Sequence, residues 1–169
     1  VRAAVGAVLG LAALALAVRF ILLPGKPPPP AAGGPSLAVL YFENGTGDKG
    51  LDFLREASVD YLIPELRGAT AGITVLSEDA MKTVLSRLGL EDARGYSKDD
   101  LKAVAARTRA THLLTAVYSR VGADLEIKYR LTEAPKTRTV GAGSVRGGVD
   151  EYGFLAARLG RLVLAVSVV

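Results

Sequence analysis

Hydrophobic and polar positions divide this chain into three stretches with different patterns. From Ala3 to Leu23 almost every residue is Ala, Leu, Val, Ile, Phe or Gly, and Arg19 is the one charge. These 21 residues would make a helix about 32 Å long, enough for one hydrocarbon core. Arg19 lies near the far end, where its stem can snorkel to the headgroups. Residues 1–23 therefore read as a membrane anchor or signal-anchor with bilayer lipid as its partner. A cleaved signal with the small-residue site Ala15-Leu16-Ala17 is the alternative. Residues 24–35 include Pro27 to Pro30 and Gly33-Gly34, which predicts a stiff polyproline spacer ending in a flexible joint.

From Ser36 onward charged and apolar residues alternate, and the periods change from element to element. Leu37 to Phe42 is a continuous apolar run, the pattern of a strand buried on both faces. Glu43 to Gly50 reads as a turn. Leu51 to Arg67 has helical spacing, with Pro64 expected to kink or end it. Ile73 to Leu76 predicts a short strand. Ser77 caps a helix from about Asp79 to Leu88 with Gly89 as its stop, and Ser97-x-x-Asp100 opens another to about Thr108. Thr111 to Arg120 predicts a strand, Gly122-Ala123 a turn, and Asp124 to Leu131 a strand with strict period two. Ala134-Pro135-Lys136 turns into a glycine-rich strand, Thr139 to Val145. Asp150 is placed to cap a last helix, Glu151 to about Val168. The predicted fold for residues 36–169 is α/β, a mixed β-sheet of about five strands covered by helices in the order β-α-β-α-α-β-β-β-α.

Charge changes the picture little. Three of the 21 basic residues (Arg2, Arg19, Lys26) and none of the 17 acidic ones precede Ser36, which leaves the domain a net charge of +1. The basic balance is no argument for nucleic acid, and none is expected as a partner. The absence of cysteine excludes disulfides, thiolate metal sites and a cysteine nucleophile. His112 is the only histidine and sits among apolar neighbours, so no triad and no histidine metal pair can be assembled. No catalytic residue, metal or cofactor is expected.

An apolar strand Leu37-Ala38-Val39-Leu40-Tyr41-Phe42, followed by Asn44 and then Thr46-Gly47-Asp48, resembles the opening of the TolB N-terminal-like domain, a group overlapping the FlgO and CsgG-like families. In that family the strand ends in Pro-Phe and is followed by Asn and Ser-Gly-Asp; here Tyr41 replaces the proline and Thr46 the serine. Thr111 to Ile127 resembles the family's strand, turn and strand, and Ala116 stands where a glycine is usual. Thr132 stands where an aspartate is common. The resemblance implies an extracytoplasmic module, such as those that follow one transmembrane helix in bacterial Ser/Thr kinases, adenylate cyclases and proteins with TPR repeats.

Asn44, Gly45, Thr46, Gly47 and Asp48 lie between a strand and a helix, where open α/β sheets bind ligands. They are the candidate ligand-binding residues, although the loop meets no nucleotide motif and a tight glycine turn, or a loop for protein contact, explains it without a small ligand. The pairs Glu78-Asp79, Glu91-Asp92 and Asp99-Asp100 fall near helix starts, where they offset the macrodipole. Arg107, Arg109 and Arg120 read as helix-end cations or a groove lining. Glu126, Lys128 and Arg130 share one strand face, either solvated or a flat surface for a partner. The function expected is a non-catalytic sensing or protein-interaction module in the periplasm or extracellular space, meeting a protein partner or small ligand there. A structural subunit of an envelope assembly is the alternative.

Overall fold

The computed structural model describes residues 34–69 and 72–167. The predicted anchor, and the spacer up to residue 33, lie outside the described residues. No described helix is long and apolar enough to cross a membrane.

The strands are β1 (Ser36–Val39), β2 (Glu43–Asn44), β3 (Thr74–Val75), β4 (His112–Val121), β5 (Asp124–Glu133) and β6 (Arg138–Gly147). The helices are α1 (Leu54–Ala69), α2 (Glu78–Leu88), α3 (Lys98–Thr108) and α4 (Tyr152–Ser167). The sheet is mixed, as expected, but it has six strands. The sixth is β2, formed where the sequence predicted only a turn. After Phe42 the chain continues alongside β4, with Glu43 beside Val117 and Asn44 beside Tyr118. Two residues of parallel pairing carry no periodicity that a sequence could show.

The strand order is β3-β1-β4-β5-β6, with β2 also paired to β4. β1 runs parallel to β3 and β4, while β4, β5 and β6 form an antiparallel meander. All of β1 is buried, which explains its unbroken apolar run. Ser36 and Thr111 lock its start to β4: the two backbone N–H groups donate to each other's hydroxyls, and the Thr111 hydroxyl donates to the Ser36 carbonyl, across 75 residues of chain.

Helices cover both faces, unevenly. On one face α4 packs against β5 and β6 beside α1. The Tyr118 and Tyr152 rings meet edge to face at 6.4 Å, and Leu155 lies so close to Gly147 that a Cβ there would stand 2.9 Å away. α1 and α4 run side by side in the same direction: Ser58 bonds Tyr152, while Leu62 and Leu66 lie against Gly160. On the other face α2 and α3 cover β1 and the start of β4, burying Leu113, but leave β5 and β6 open.

Several element ends differ from expectation. α1 begins at Leu54, after a 3-10 turn at Lys49–Leu51 capped by Asp48. It continues through Pro64, because Leu62, Ile63 and Leu66 are all buried around it. Tertiary burial here outweighs one lost hydrogen bond. Asp150 does not cap the last helix: it lies inside a 3-10 turn, Val149–Glu151, whose first residue is preceded by Gly148 without a side-chain bond. Ser77 and the Ser97–Asp100 capping box form as predicted, and Gly89 ends α2 at φ +67°.

Candidate functional site

β1 and β4 point their C-terminal ends at the segment 43–53, and the five predicted site residues gather there. Asn44 organises them. Its amide nitrogen donates to the Asp48 carbonyl at 2.9 Å and to Asp52 Oδ1 at 2.6 Å. Its Oδ1 accepts from the Thr46 N–H at 2.9 Å and from the Thr46 hydroxyl at 2.6 Å. The Thr46 Oγ1 in turn accepts from the Asp48 N–H, and Asp48 Oδ1 from the Gly50 N–H. Gly45 donates to the Tyr118 carbonyl at 2.8 Å, and a Cβ at Gly45 would stand 2.9 Å from Val117. Gly47 takes φ +75°. The side chains of Asn44, Thr46 and Asp48 thus consume N–H groups that an anion would otherwise find.

A cleft of about 300 Å³ separates this loop from the turn between α2 and α3; its walls include Lys49, Asp52, Arg55, Asp92 and Arg94. The Arg55 guanidinium closes its base, donating to the carbonyls of Glu91 and Ala93. The sequence placed Lys49 only in the loop and Asp92 only near a helix start, whereas Asp92 lies in the turn between the two helices; Asp52, Arg55 and Arg94 were missed. Lys49 and Asp52 belong to the 3-10 turn and its end, Arg55 to the first turn of α1, and Asp92 and Arg94 to a turn about 40 residues away, with no local spacing that links them. Arg120, expected among helix-end cations, instead reaches Asp48 at 3.6 Å from the end of β4. Arg107 does sit in the last turn of α3, and Arg109 follows as its left-handed cap.

A larger groove, about 540 Å³, lies on the open face of the sheet. Its floor is Thr115 and Val117, with Glu43 and Tyr96 on one side and Lys128 and Arg130 on the other. Burial pushes the Tyr96 hydroxyl up to about 12. The period-two reading of β5 holds: Leu125, Ile127, Tyr129 and Leu131 are buried, while Glu126, Lys128 and Arg130 share the opposite, open face. Lys128 pairs with Glu126 at 3.1 Å. Among the described residues Arg130 has no carboxylate partner.

No family model matches this chain, and no curated protein does. Solved structures do. Lipoprotein GNA1162 from Neisseria meningitidis is similar over 78% of this chain and 96% of its own, at 16% identity and a TM-score of 0.52. The LpoB C-terminal domain from Salmonella enterica matches 70% of this chain and 87% of its own, at 18% identity and a TM-score of 0.47. TolB from Acinetobacter baumannii matches 79% of this chain with 28% of its own length, at 13% identity and a TM-score of 0.48. The chain shares the α/β fold of GNA1162, and at these identities the likeness concerns fold alone.

Proposed function

We propose that this domain is a non-catalytic protein-interaction module of a single-pass bacterial membrane protein, anchored through residues 3–23 and held outside the cytoplasm on the spacer 24–35. The observation that carries this reading is the saturation of the loop at the strand ends. Asn44, Thr46 and Asp48 spend their polar atoms on one another, on the loop backbone and on the side chains of Asp52 and Arg120. A small ligand at Asn44–Asp48 would have to displace those bonds, whereas a protein surface can dock on the loop as it stands. The fold shared with a lipoprotein and the TolB-like opening support an envelope setting. The receptor context, with a kinase or cyclase domain ahead of the anchor, rests on the family resemblance.

The test uses the absence of cysteine. Lys102→Cys places a single thiol on the exposed face of α3. A membrane-impermeant maleimide should label it in intact spheroplasts, and protection until lysis would sink the extracytoplasmic placement. A photo-crosslinking residue at Lys49, beside the loop, should then yield one discrete adduct in cells.

One observation favours the second reading, a structural subunit of a FlgO/CsgG-like assembly. β6 is a ten-residue strand at the edge of the sheet, and edges of that length can join subunits. Sedimentation of the full chain in detergent separates the two: a closed ring supports assembly, and a monomer excludes it.

A further inference from the structure

The edge of β6 is more specific than a generic free strand. The β4–β5 turn is two residues long, Gly122 has φ +68°, and Val121 pairs with Asp124 across it. In such a hairpin the closing pair exchanges hydrogen bonds, and the direction then alternates along the strand. Even-numbered residues of β5 therefore bond toward β4 and odd-numbered ones toward β6. The Thr115 hydroxyl donating to the Arg130 carbonyl agrees with this. Because β6 pairs with β5 as Leu125↔Gly147 through Leu131↔Gly141, its odd residues face β5. Ala142, Ser144 and Arg146 turn their N–H and C=O groups to the free edge. The Arg146 carbonyl receives the Arg158 side chain at 3.5 Å, which leaves Ala142 and Ser144 open.

This edge lacks the usual protection. Val140 is an extra residue in the ladder, so the bulge turns away only the first residues of the strand. Between Gly141 and Val145 there is no charge and no proline. On the groove side Ala142 and Ser144 lie in register with Arg130 and Lys128. Strands stand about 4.8 Å apart. The small side chains of β6 therefore leave room for the long basic ones of β5 to reach over it toward the strand position beyond, Arg130 as it stands and Lys128 by exchanging its 3.1 Å pair with Glu126 for a partner's carboxylate. On the other side Arg158 shows that α4 overhangs β6, and Leu162, one turn further along that side, is 42% exposed.

We infer that β6 is a docking edge for an extended partner segment in which acidic side chains alternate with apolar ones. The segment adds a seventh strand beside Ala142 and Ser144, its acidic side chains meeting Lys128 and Arg130 and its apolar ones covering Leu162. This is strand addition, with backbone bonds giving affinity and alternate side chains giving selectivity. Glu43, across the groove, faces the far side of Val117 and sets the limit of the basic surface. A second copy of β6 fits less well, because two-fold pairing of the edges would bring both copies' Lys128 and Arg130 to the same seam. The inference rests on the interaction-module reading and names its partner class.

The test uses the full chain in detergent micelles and a fluorescein-labelled peptide alternating aspartate with valine. Binding should protect residues 141–147 from hydrogen exchange. Ser144→Pro removes an outward N–H and leaves the β5 ladder intact, so it should weaken binding at least about tenfold. Lys128→Glu with Arg130→Glu should reverse the preference, toward a peptide alternating lysine with valine. Both changes lie on exposed positions, and the second keeps the test open if the proline variant folds poorly. Equal affinity of the wild-type chain for the lysine peptide, or undiminished binding by Ser144→Pro in a folded chain, would overturn the proposal. So would protection of 141–147 that appears without peptide as protein concentration rises. None of these outcomes touches the crosslinking result at Lys49, so failure here is separable from failure of the module reading.

Discussion

Asn44 is only partly buried, yet its side chain makes four of the hydrogen bonds that shape the segment from Glu43 to Asp52. Asn44→Ala should lower stability by about 2 kcal/mol, because the Thr46 N–H and the Thr46 hydroxyl both lose the acceptor they share. Urea denaturation of the two chains measures the loss, and an unchanged midpoint would show that water replaces the amide at no cost. Four tyrosines make a second residue-scale case. Burial raises the hydroxyls of Tyr41, Tyr96 and Tyr152 to about 12 and pushes Tyr118 up as well; carboxylates near Tyr41, Glu56 first, add to its shift. Between the ordinary value of about 10 and the raised one, the folded chain holds protons that the unfolded chain has lost. Stability should therefore be intact below pH 10 and fall as pH rises toward 12. Urea midpoints at pH 9 and pH 11 test this, and Tyr152→Phe should flatten the fall.

At the scale of elements, Pro64 shows what pattern reading can and cannot do. The apolar spacing Leu54, Leu62, Ile63, Leu66 was legible, and so was the helix it implies. Where the helix ended was not, because the force that carries it through Pro64 comes from α4 and the sheet, which the local sequence does not contain. Pro64 is exposed, so Pro64→Ala should restore one helical bond and raise stability by about 1–3 kcal/mol. A fall in melting temperature would mean that the ring itself packs. The caps at Ser77, Gly89 and Ser97 were readable in full, since each is a contact between residues three or four apart. β2 was not readable, since two residues beside β4 leave no period. The site divides in the same way. The residues 44–48 were singled out because glycine and asparagine mark a turn, whereas Arg55, Asp92 and Arg94 meet them only through the fold.

For the whole molecule, the uneven helix cover predicts a gradient of protection. β4 has a neighbour on each side and helices over both faces of its first half, whereas β6 has one neighbour and one covered face. Hydrogen exchange should be slowest at Leu113 and Leu114, approaching global unfolding. It should be fastest within the sheet at Ala142 and Ser144. Comparable rates at both places would mean that something already covers the edge.

The pairing of Ser36 with Thr111 has a consequence for how the chain is made. β1 cannot pair with β4 until the chain has emerged past Thr111, 75 positions beyond Ser36. The three-strand meander 112–147, in contrast, is joined by short turns and closes locally, with little loop entropy to overcome. During synthesis the apolar run Leu37–Phe42 has only the two residues of β3 to pair with until its long neighbour β4 arrives. The later-made meander is then the scaffold on which the domain's first strand completes its pairing.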